Sequence, residues 1–273
     1  MPTNVKEQVE FFVGRDMPEG ELRPLASGVA AVYTARCPGK ETANEDAAVL
    51  ISCNAQCGVL ALADGFGGQP AGDQASRLAL EAIADAVNQA VYSESEPRDG
   101  ILNGFEQANR AVCELGVGAA TTLAVVEIGP GWVRPYHVGD SAILVVGQRG
   151  KLKLHTVSHS PVGLAVEAGM LEETEAMHHE DRHLVSNLVG SADMRIEIGS
   201  ALKLRPRDTV LLATDGLYDN LHLEEIVEAV RKGPLARAVQ ALIDQCDARM
   251  QRPSEGHPSK PDDMTSIVFR LGG

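Results

Sequence analysis

The sequence lacks the short motifs that mark several large enzyme classes. It contains no G-x-S-x-G, no G-x-x-x-x-G-K-[ST] and no complete G-x-G-x-x-G pattern, which argues against a serine hydrolase, a P-loop nucleotidase and a Rossmann dehydrogenase. The five cysteines form no C-x-x-C pair, and their odd number argues against a complete disulfide framework. None of them lies in a phosphate-cradling or acyl-transfer motif, so we expect reduced thiols without a catalytic role.

Long apolar segments and positive charge are also scarce. The N-terminal segment lacks the apolar core of a signal peptide, and no stretch is as long and apolar as a membrane span. We therefore expect a cytoplasmic protein that does not bind membranes. The chain has 24 Lys and Arg residues against 38 Asp and Glu residues, a formal net charge of -14, which disfavours nucleic acid as a partner.

The chain does contain β-rich apolar runs that alternate with helical patterns. Apolar residues recur at helical spacing in four segments, residues 74–91, 101–115, 223–232 and 235–250. Strand-like runs begin at Gly28, Ala47, Gly58, Thr121, Trp132, Ala142, Asp208 and Met264. Short turns with Gly or Pro join several of them, which favours antiparallel sheets with helices outside over a regular βαβ alternation. Residues 158–194 fit neither pattern, and we expect a variable excursion there.

Strand-like runs repeatedly adjoin acidic residues. The acids that follow or precede such runs are Glu45, Asp46, Asp64, Asp140, Asp215, Asp262 and Asp263. Because strand ends of a sandwich can cluster, we predict that these acids meet in one cleft, where like charges need cations to remain ionised. Oxygen ligands suit Mg²⁺ or Mn²⁺, whereas zinc prefers His and Cys. Glycine after Asp64 allows a sharp turn, so the carbonyl of Gly65 can also become a ligand.

Six motifs, taken in order, resemble those of the PP2C (PPM) family of metal-dependent protein serine/threonine phosphatases. They are NED at 44–46, DGFGGQPAGDQAS from 64, GAATTL from 118, VGDS from 138, LLATDGLYDNL from 211 and DDMT from 262. The resemblance covers residues 28–271, so we expect an N-terminal extension, residues 1–27, before a phosphatase domain, residues 28–273. It implies an α+β fold, a four-layer αββα sandwich with two central antiparallel sheets flanked by helices.

The resemblance also implies a centre of two Mn²⁺ or Mg²⁺ ions, with a third, weaker ion in bacterial relatives. The implied metal ligands are Glu45, Asp64, the Gly65 carbonyl, Asp140, Asp215 and Asp262, with Asp46 and Asp263 behind them; Asp64, Asp215 and Asp262 are also the implied catalytic residues. Asp64 would bridge two ions, and Asp140 with Asp215 would hold the third. A bridging hydroxide would attack phosphorus in line with the leaving Ser or Thr oxygen. The implied partner is a phosphorylated protein, the substrate of a Ser/Thr kinase in cell signalling.

The sequence departs from the family pattern at the residue that usually binds the substrate phosphate. Relatives commonly carry an Arg four residues before the Glu of the first motif, whereas this chain has Glu41. Arg36 or Lys40 could replace it from a neighbouring turn. If neither does, phosphate affinity falls, because a charge-assisted contact is lost and a repulsive carboxylate takes its place. The usual Arg after GDS is Ala142, and Phe66 stands where some relatives have a His proposed as general acid.

Two further functions stay open at the level of sequence. A domain that keeps the PP2C fold without catalysis could bind or regulate phosphoproteins, and Glu41 supports that alternative. The intact set Asp64, Asp215 and Asp262 argues against it, because a binding module would not require these acids. The other alternative is a PP2C-like hydrolase of a small phosphate ester.

The histidines offer one competing metal site. His178, His179 and His183 have a spacing that could bind zinc on a helix, but no Cys or third well-placed ligand accompanies them. We therefore favour structural roles for them, and also for His137 and His155.

Overall fold

The computed structural model describes residues 9–66, 71–177, 179–254 and 256–272. The strands are β1 (Val9–Val13), β2 (Glu21–Leu25), β3 (Gly28–Ala35), β4 (Asp46–Ser52), β5 (Gly58–Asp64), β6 (Leu123–Gly129), β7 (Trp132–Val138), β8 (Ala142–Val146), β9 (Leu152–His155), β10 (Glu197–Ile198), β11 (Leu202–Lys203), β12 (Thr209–Ala213) and β13 (Met264–Leu271). The helices are α1 (Gly72–Tyr92), α2 (Pro97–Glu114), α3 (Pro161–Glu167), α4 (Glu173–Ala176), α5 (Asp215–Tyr218), α6 (Leu223–Val230) and α7 (Leu235–Gln251). Within these ranges, no helix has the length and apolar character needed to cross a membrane.

The strands form two antiparallel sheets. One has the order β1-β4-β5-β6-β7-β10, with β11 also paired to β7, and the other has the order β2-β3-β13-β12-β8-β9. A short turn with Gly and Pro joins β6 and β7, with Gly129 and Trp132 as the last register pair before the turn. Antiparallel pairing of strands that are neighbours in sequence confirms the prediction made from the turn residues.

Both faces of the central strands are buried, which explains their continuous apolar runs. On β4, Ala48 and Leu50 belong to the core between the two sheets. Val49 and Ile51, which point the other way, pack with α1 and α2. Helices α6 and α7 contribute to the core on the side of the second sheet. The layers therefore follow the order helix, sheet, sheet, helix, and the predicted αββα sandwich is confirmed.

Residues 9–25, which lie in the predicted N-terminal extension, supply an edge strand to each sheet. Strand β1 pairs with β4, and β2 pairs with β3. Arg23 on β2 links the two edges through hydrogen bonds of 2.8 Å and 2.9 Å to the carboxylate of Glu10 on β1. The described part of this segment is therefore folded against the residues that follow it.

Residues 158–194 contain short helices and turns, in contrast to the sheet-forming segments around them. Ser160 caps the N-terminus of α3, where its hydroxyl accepts a hydrogen bond from the Gly163 N–H at 2.9 Å. Beside α3 and α4 lies a cavity of about 290 Å³. Asp140, Asp215 and Asp219 line one side of this cavity. The segment thus lies next to the predicted acidic cleft.

Candidate metal centre

The acidic residues predicted to cluster lie where strands of the two sheets begin and end. Asp46 begins β4 and Asp64 ends β5, and the two are partners in the antiparallel register. Asp215 begins α5, two residues after the last residue of β12. Asp262 lies two residues before β13, which pairs with β12. The fold thus brings acids from distant parts of the sequence to one end of the sandwich.

Two threonines fix the backbone of Asp64. The Thr121 hydroxyl donates to the Asp64 carbonyl oxygen at 2.7 Å, and the Asp64 N–H donates to Thr122 Oγ1 at 3.0 Å. The Thr122 N–H adds a third hydrogen bond to the Asp64 carbonyl at 2.9 Å. These contacts explain why the GAATTL motif accompanies the acidic motifs, since it holds the turn after β5 in place.

The buried carboxyls at this end resist ionisation. Burial raises the pKa of Asp64 well above its usual range, and the charges of Asp46 and Asp215 raise it further. Burial likewise raises the pKa of Asp46, against a hydrogen bond from Thr214 that lowers it. Burial and then the charge of Asp215 raise the pKa of Asp262 to about 6. The cluster therefore lacks enough positive charge of its own to keep these carboxyls ionised. Bound cations would supply that charge.

Asp140 joins the cluster from the end of β7. Burial and then the charges of Asp215 and Asp219 raise its pKa to about 7. Gly139 makes this approach possible, because its φ is +104° and a Cβ there would lie 2.7 Å from Thr122 Cβ. Asp215, the predicted neighbour of Asp140, thus lies close enough to raise the pKa of Asp140.

Asp219 is an acid of the centre that the sequence reasoning missed. It lies four residues after Asp215, and its N–H donates to the Asp215 carbonyl at 2.7 Å across the turn of α5. Burial and then the charge of Asp215 raise its pKa. The spacing of the two aspartates in DGLYD, one helical turn apart, is the signal that could have identified it.

Glu45 and the Gly65 carbonyl point toward one place beside Gly72. A Cβ added to Gly72 would lie 2.6 Å from Glu45 Oε1 and 3.2 Å from the Gly65 carbonyl oxygen. Only glycine leaves that space free at the start of α1. Two predicted ligand oxygens therefore border the same small space, as an ion held by both would require.

Asp46 and Asp263 differ in how fully they are hydrogen-bonded. Asp263 accepts from the Cys37 N–H and the Glu45 N–H, each at 2.8 Å, so it anchors the loop that carries Glu45. Asp46 Oδ2 accepts from the Thr214 hydroxyl at 2.8 Å. Within the described residues, Asp46 Oδ1 is buried without a hydrogen-bond partner, which leaves one oxygen of the centre for a ligand outside the chain.

Two lysines supply positive charge to the centre. The Lys40 ammonium lies 2.7 Å from Glu45 Oε2 and 2.6 Å from Asp263 Oδ2. The Lys260 ammonium lies 2.5 Å from Asp215 Oδ2, and it also contacts Asp219 and Asp262. Lys260 was not among the predicted site residues, because a lysine two residues before an aspartate carries no distinctive pattern.

The candidates for phosphate binding lie in different surroundings. Arg36 pairs with Asp16, with its Nη2 2.7 Å from Asp16 Oδ2. Lys40 contacts Glu45 and thus lies at the acidic centre itself. Glu41 is exposed to solvent. Of the two proposed substitutes for the missing Arg, Lys40 lies beside the predicted ligand Glu45. Arg36 instead forms an ion pair with Asp16.

Among the described residues, one set of His, Cys, Asp or Glu side chains brings three ligand atoms within 4.8 Å of one another. It consists of His137, His159 and Glu197, and the carboxylates of the acidic centre are spaced more widely. Hydrogen bonds already engage this set: His137 Nε2 lies 2.9 Å from the Val157 carbonyl, and His159 Nε2 lies 3.1 Å from Glu197 Oε2. This bonding supports the structural role predicted for His137.

Some of the predicted features cannot be placed. His178, in the zinc alternative, and residues 67–70, in the glycine-rich motif, lie outside the described residues. Of the other two histidines, His179 accepts a hydrogen bond from the Asp181 N–H at 3.1 Å through Nδ1, and His183 is exposed. Burial lowers the pKa of His155, in keeping with the structural role predicted for it.

Comparisons with known proteins agree with this architecture. A family model described as "Protein phosphatase 2C" matches residues 35–252. A "Putative protein phosphatase 2C-type" of Streptococcus pyogenes is 30% identical over 196 residues, which cover 69% of this chain and 79% of that protein.

Solved structures give the same result. The S. agalactiae serine/threonine phosphatase is 29% identical, with a TM-score of 0.76 and coverage of 89% of this chain and 99% of that one. The catalytic domain of serine threonine protein phosphatase PstP, solved "in complex with 2 Manganese ions", is 24% identical and shares the fold, with a TM-score of 0.69 and coverage of 92% and 99%.

Proposed function

Because the chain belongs to the protein phosphatase 2C family, we propose that it hydrolyses phosphoserine and phosphothreonine in proteins with the help of bound divalent metal ions. The observation that carries this proposal is the cluster of partly buried carboxyls at one end of the sandwich, in which Asp64, Asp140 and Asp262 all have raised pKa values. Such a cluster stays ionised only when cations compensate its charge.

The donor set suits Mn²⁺ or Mg²⁺, because every group is an oxygen. In our proposal Asp64 would serve as a ligand in both of two ion sites, and Asp215 with Asp262 would complete one of them. Glu45 and the Gly65 carbonyl complete the other, which agrees with the space that they share beside Gly72. When bound, such ions lower the pKa of a coordinated water and polarise the phosphoryl oxygens.

A third and weaker ion site is proposed between Asp140 and Asp215. Asp219 extends this set, because its carboxylate is close enough to raise the pKa of Asp140. The pair Asp46 and Asp263 lies behind the ligands. Asp263 orients the Glu45 loop through the Glu45 N–H, and Asp46 is paired with Asp64 across the two strands.

We assign phosphate binding to Lys40 in place of the usual Arg. Its ammonium already lies at the edge of the centre, 2.7 Å from Glu45 Oε2. With Glu45 serving as a ligand of a bound ion, the Lys40 ammonium would be free to donate to a substrate phosphate. The Arg36 guanidinium would first have to leave Asp16 Oδ2, which accepts from its Nε at 2.8 Å and lies 2.7 Å from its Nη2. The substrate would be a phosphoprotein made by a Ser/Thr kinase.

The test is a phosphatase assay on phosphoserine and phosphothreonine peptides and on small phosphate esters, with Mn²⁺ and with EDTA. We expect metal-dependent turnover of the peptides by the wild type and none by Asp64→Asn. The control is Asp85→Asn, which makes the same change at an exposed position of α1 and should keep wild-type turnover. Turnover of the small esters alone would indicate the small-molecule alternative, and no turnover with metal bound would indicate a regulatory domain.

A further inference from the structure

Lys260 starts from a fixed point beside the acidic centre. Its N–H donates to Asn220 Oδ1 at 2.8 Å, and Asn220 Nδ2 donates to its carbonyl oxygen at 2.7 Å. Asn220 is fully buried just after α5 and also donates to the Gly216 carbonyl at 2.9 Å. The loop that carries Lys260 is therefore attached to the helical turn that carries Asp215 and Asp219.

The ammonium of Lys260 lies among three carboxylates. It is 2.5 Å from Asp215 Oδ2, 2.9 Å from Asp219 Oδ2 and 3.3 Å from Asp262 Oδ2. Its side chain is 22% exposed, so water screens these contacts only in part. Asp215 and Asp262 are also the pair proposed to complete one ion site, so an ammonium and a metal ion would require the same oxygens.

We propose that Lys260 is a built-in counter-ion of the metal-free protein, which an entering metal ion displaces, so that this lysine sets the metal affinity of the site. The inference rests on the proposed function for the identity of the ligands. Its own evidence is the position of the ammonium between them.

The spacing of the carboxylates favours displacement of the Lys260 ammonium by a metal ion over binding of both at the same time. Within the described residues, no three acidic residues of the centre bring one carboxylate oxygen each within 4.8 Å of one another, although Lys260 contacts one oxygen from each of three of them. The ammonium thus lies between groups that must come closer together to hold one ion. A positive charge that stayed among them would also repel a divalent cation, and that repulsion is strong where water is partly excluded.

The proposal predicts opposite effects on metal binding and on the metal-free fold. Lys260→Met keeps the length of the side chain and removes its charge. We expect this variant to bind Mn²⁺ about tenfold more tightly or better, because the competing cation is gone. The same variant without metal should melt at a lower temperature than the wild type at pH 7.5, because the three carboxylates lose their counter-ion.

The measurements are titration calorimetry of EDTA-stripped protein with Mn²⁺ and thermal melting of that protein without metal. Lys153→Met is the matched control. Lys153 pairs with Asp208, and its side chain is 19% exposed, close to the value for Lys260, but Asp208 belongs to no proposed ion site. The control should also melt earlier, yet its Mn²⁺ affinity should equal that of the wild type.

Two results separate this inference from the proposed function. If the wild type binds Mn²⁺ and folded Lys260→Met binds it no more tightly, the counter-ion role is refuted and the metal centre stands. If the wild type binds no Mn²⁺, the proposed centre fails and the inference fails with it. Lys260→Gln removes the charge with a polar side chain and should show the same gain in affinity, which keeps the test decisive if the Met variant does not fold.

Discussion

Replacing Asp140 by Asn should stabilise the protein when metal is absent. Burial, followed by the charges of Asp215 and Asp219, raises the pKa of Asp140 from 3.8 to about 7. A carboxyl with a raised pKa binds its proton more tightly in the folded chain than in the unfolded chain. The stability that this proton contributes is present below pH 4 and is lost as the pH rises through about 7. Asn resembles the protonated form at every pH.

The size of the effect follows from the same pKa change. A rise from 3.8 to about 7 corresponds to about 4 kcal/mol of unfavourable free energy once the group is forced to ionise. Part of this free energy comes from the charges of Asp215 and Asp219, and the rest comes from burial of Asp140. We therefore expect Asp140→Asn to raise the free energy of unfolding by about 2–4 kcal/mol at pH 7.5, and by almost nothing at pH 4.

The assay is urea unfolding of EDTA-treated protein at several pH values from 4 to 7.5. Asp85→Asn makes the same substitution at an exposed site on α1 and should leave the unfolding free energy unchanged at each pH. Added Mn²⁺ should stabilise the wild type more than Asp140→Asn, because the variant has lost a proposed ligand. A variant less stable than the wild type at pH 7.5, or an equal difference at pH 4 and 7.5, would refute the reasoning.

Three further predictions address ion choice, phosphate binding and the space beside Gly72. EDTA should silence turnover, Mn²⁺ or Mg²⁺ should restore it, and Ca²⁺ should support little chemistry because it is larger and activates water less; full activity after exhaustive chelation would contradict this. Lys40→Ala should raise the Michaelis constant for a phosphopeptide about ten- to a hundredfold through loss of a charge-assisted hydrogen bond. Arg36→Ala should change this constant little, and Glu41→Arg should lower it. A large rise for Arg36→Ala with little change for Lys40→Ala would transfer the phosphate-binding role to Arg36. Gly72→Ala should weaken Mn²⁺ binding measured by calorimetry, because the added Cβ would lie 2.6 Å from Glu45 Oε1. The control Gly147→Ala should leave Mn²⁺ binding unchanged, because a Cβ there meets nothing closer than 3.4 Å.

The sequence predicted the strands that are buried on both faces and missed the ones at the edges. The predicted first residues of β5 and β13, Gly58 and Met264, agree with the structure, because strand-like runs begin there. Strands β1 and β2 escaped notice, since each has five residues and β2 contains a Pro. Edge strands make ladder hydrogen bonds on one side only, so their sequences need no long apolar run.

The same division applies to the candidate site. Carboxylates that adjoin strands could be predicted, because the position of a strand end fixes where the next residue lies. The contacts of Lys260 with Asp215 and Asp219 could not, since more than 40 residues separate them and the loop at Lys260 is positioned by Asn220. Side chains that approach from loops depend on tertiary contacts that no local pattern records.

The acidic centre of the metal-free protein relies on two kinds of positive charge, ammonium groups and protons. Lys40 joins Glu45 to Asp263, and Lys260 contacts the carboxylates around α5. Within the described residues neither ammonium contacts Asp64, whose pKa remains raised by burial and by its acidic neighbours. A carboxyl in that position reaches a low free energy by keeping a proton. In the proposed centre, an ion that binds there would release protons as well as move lysines, and metal binding would be an exchange of cations.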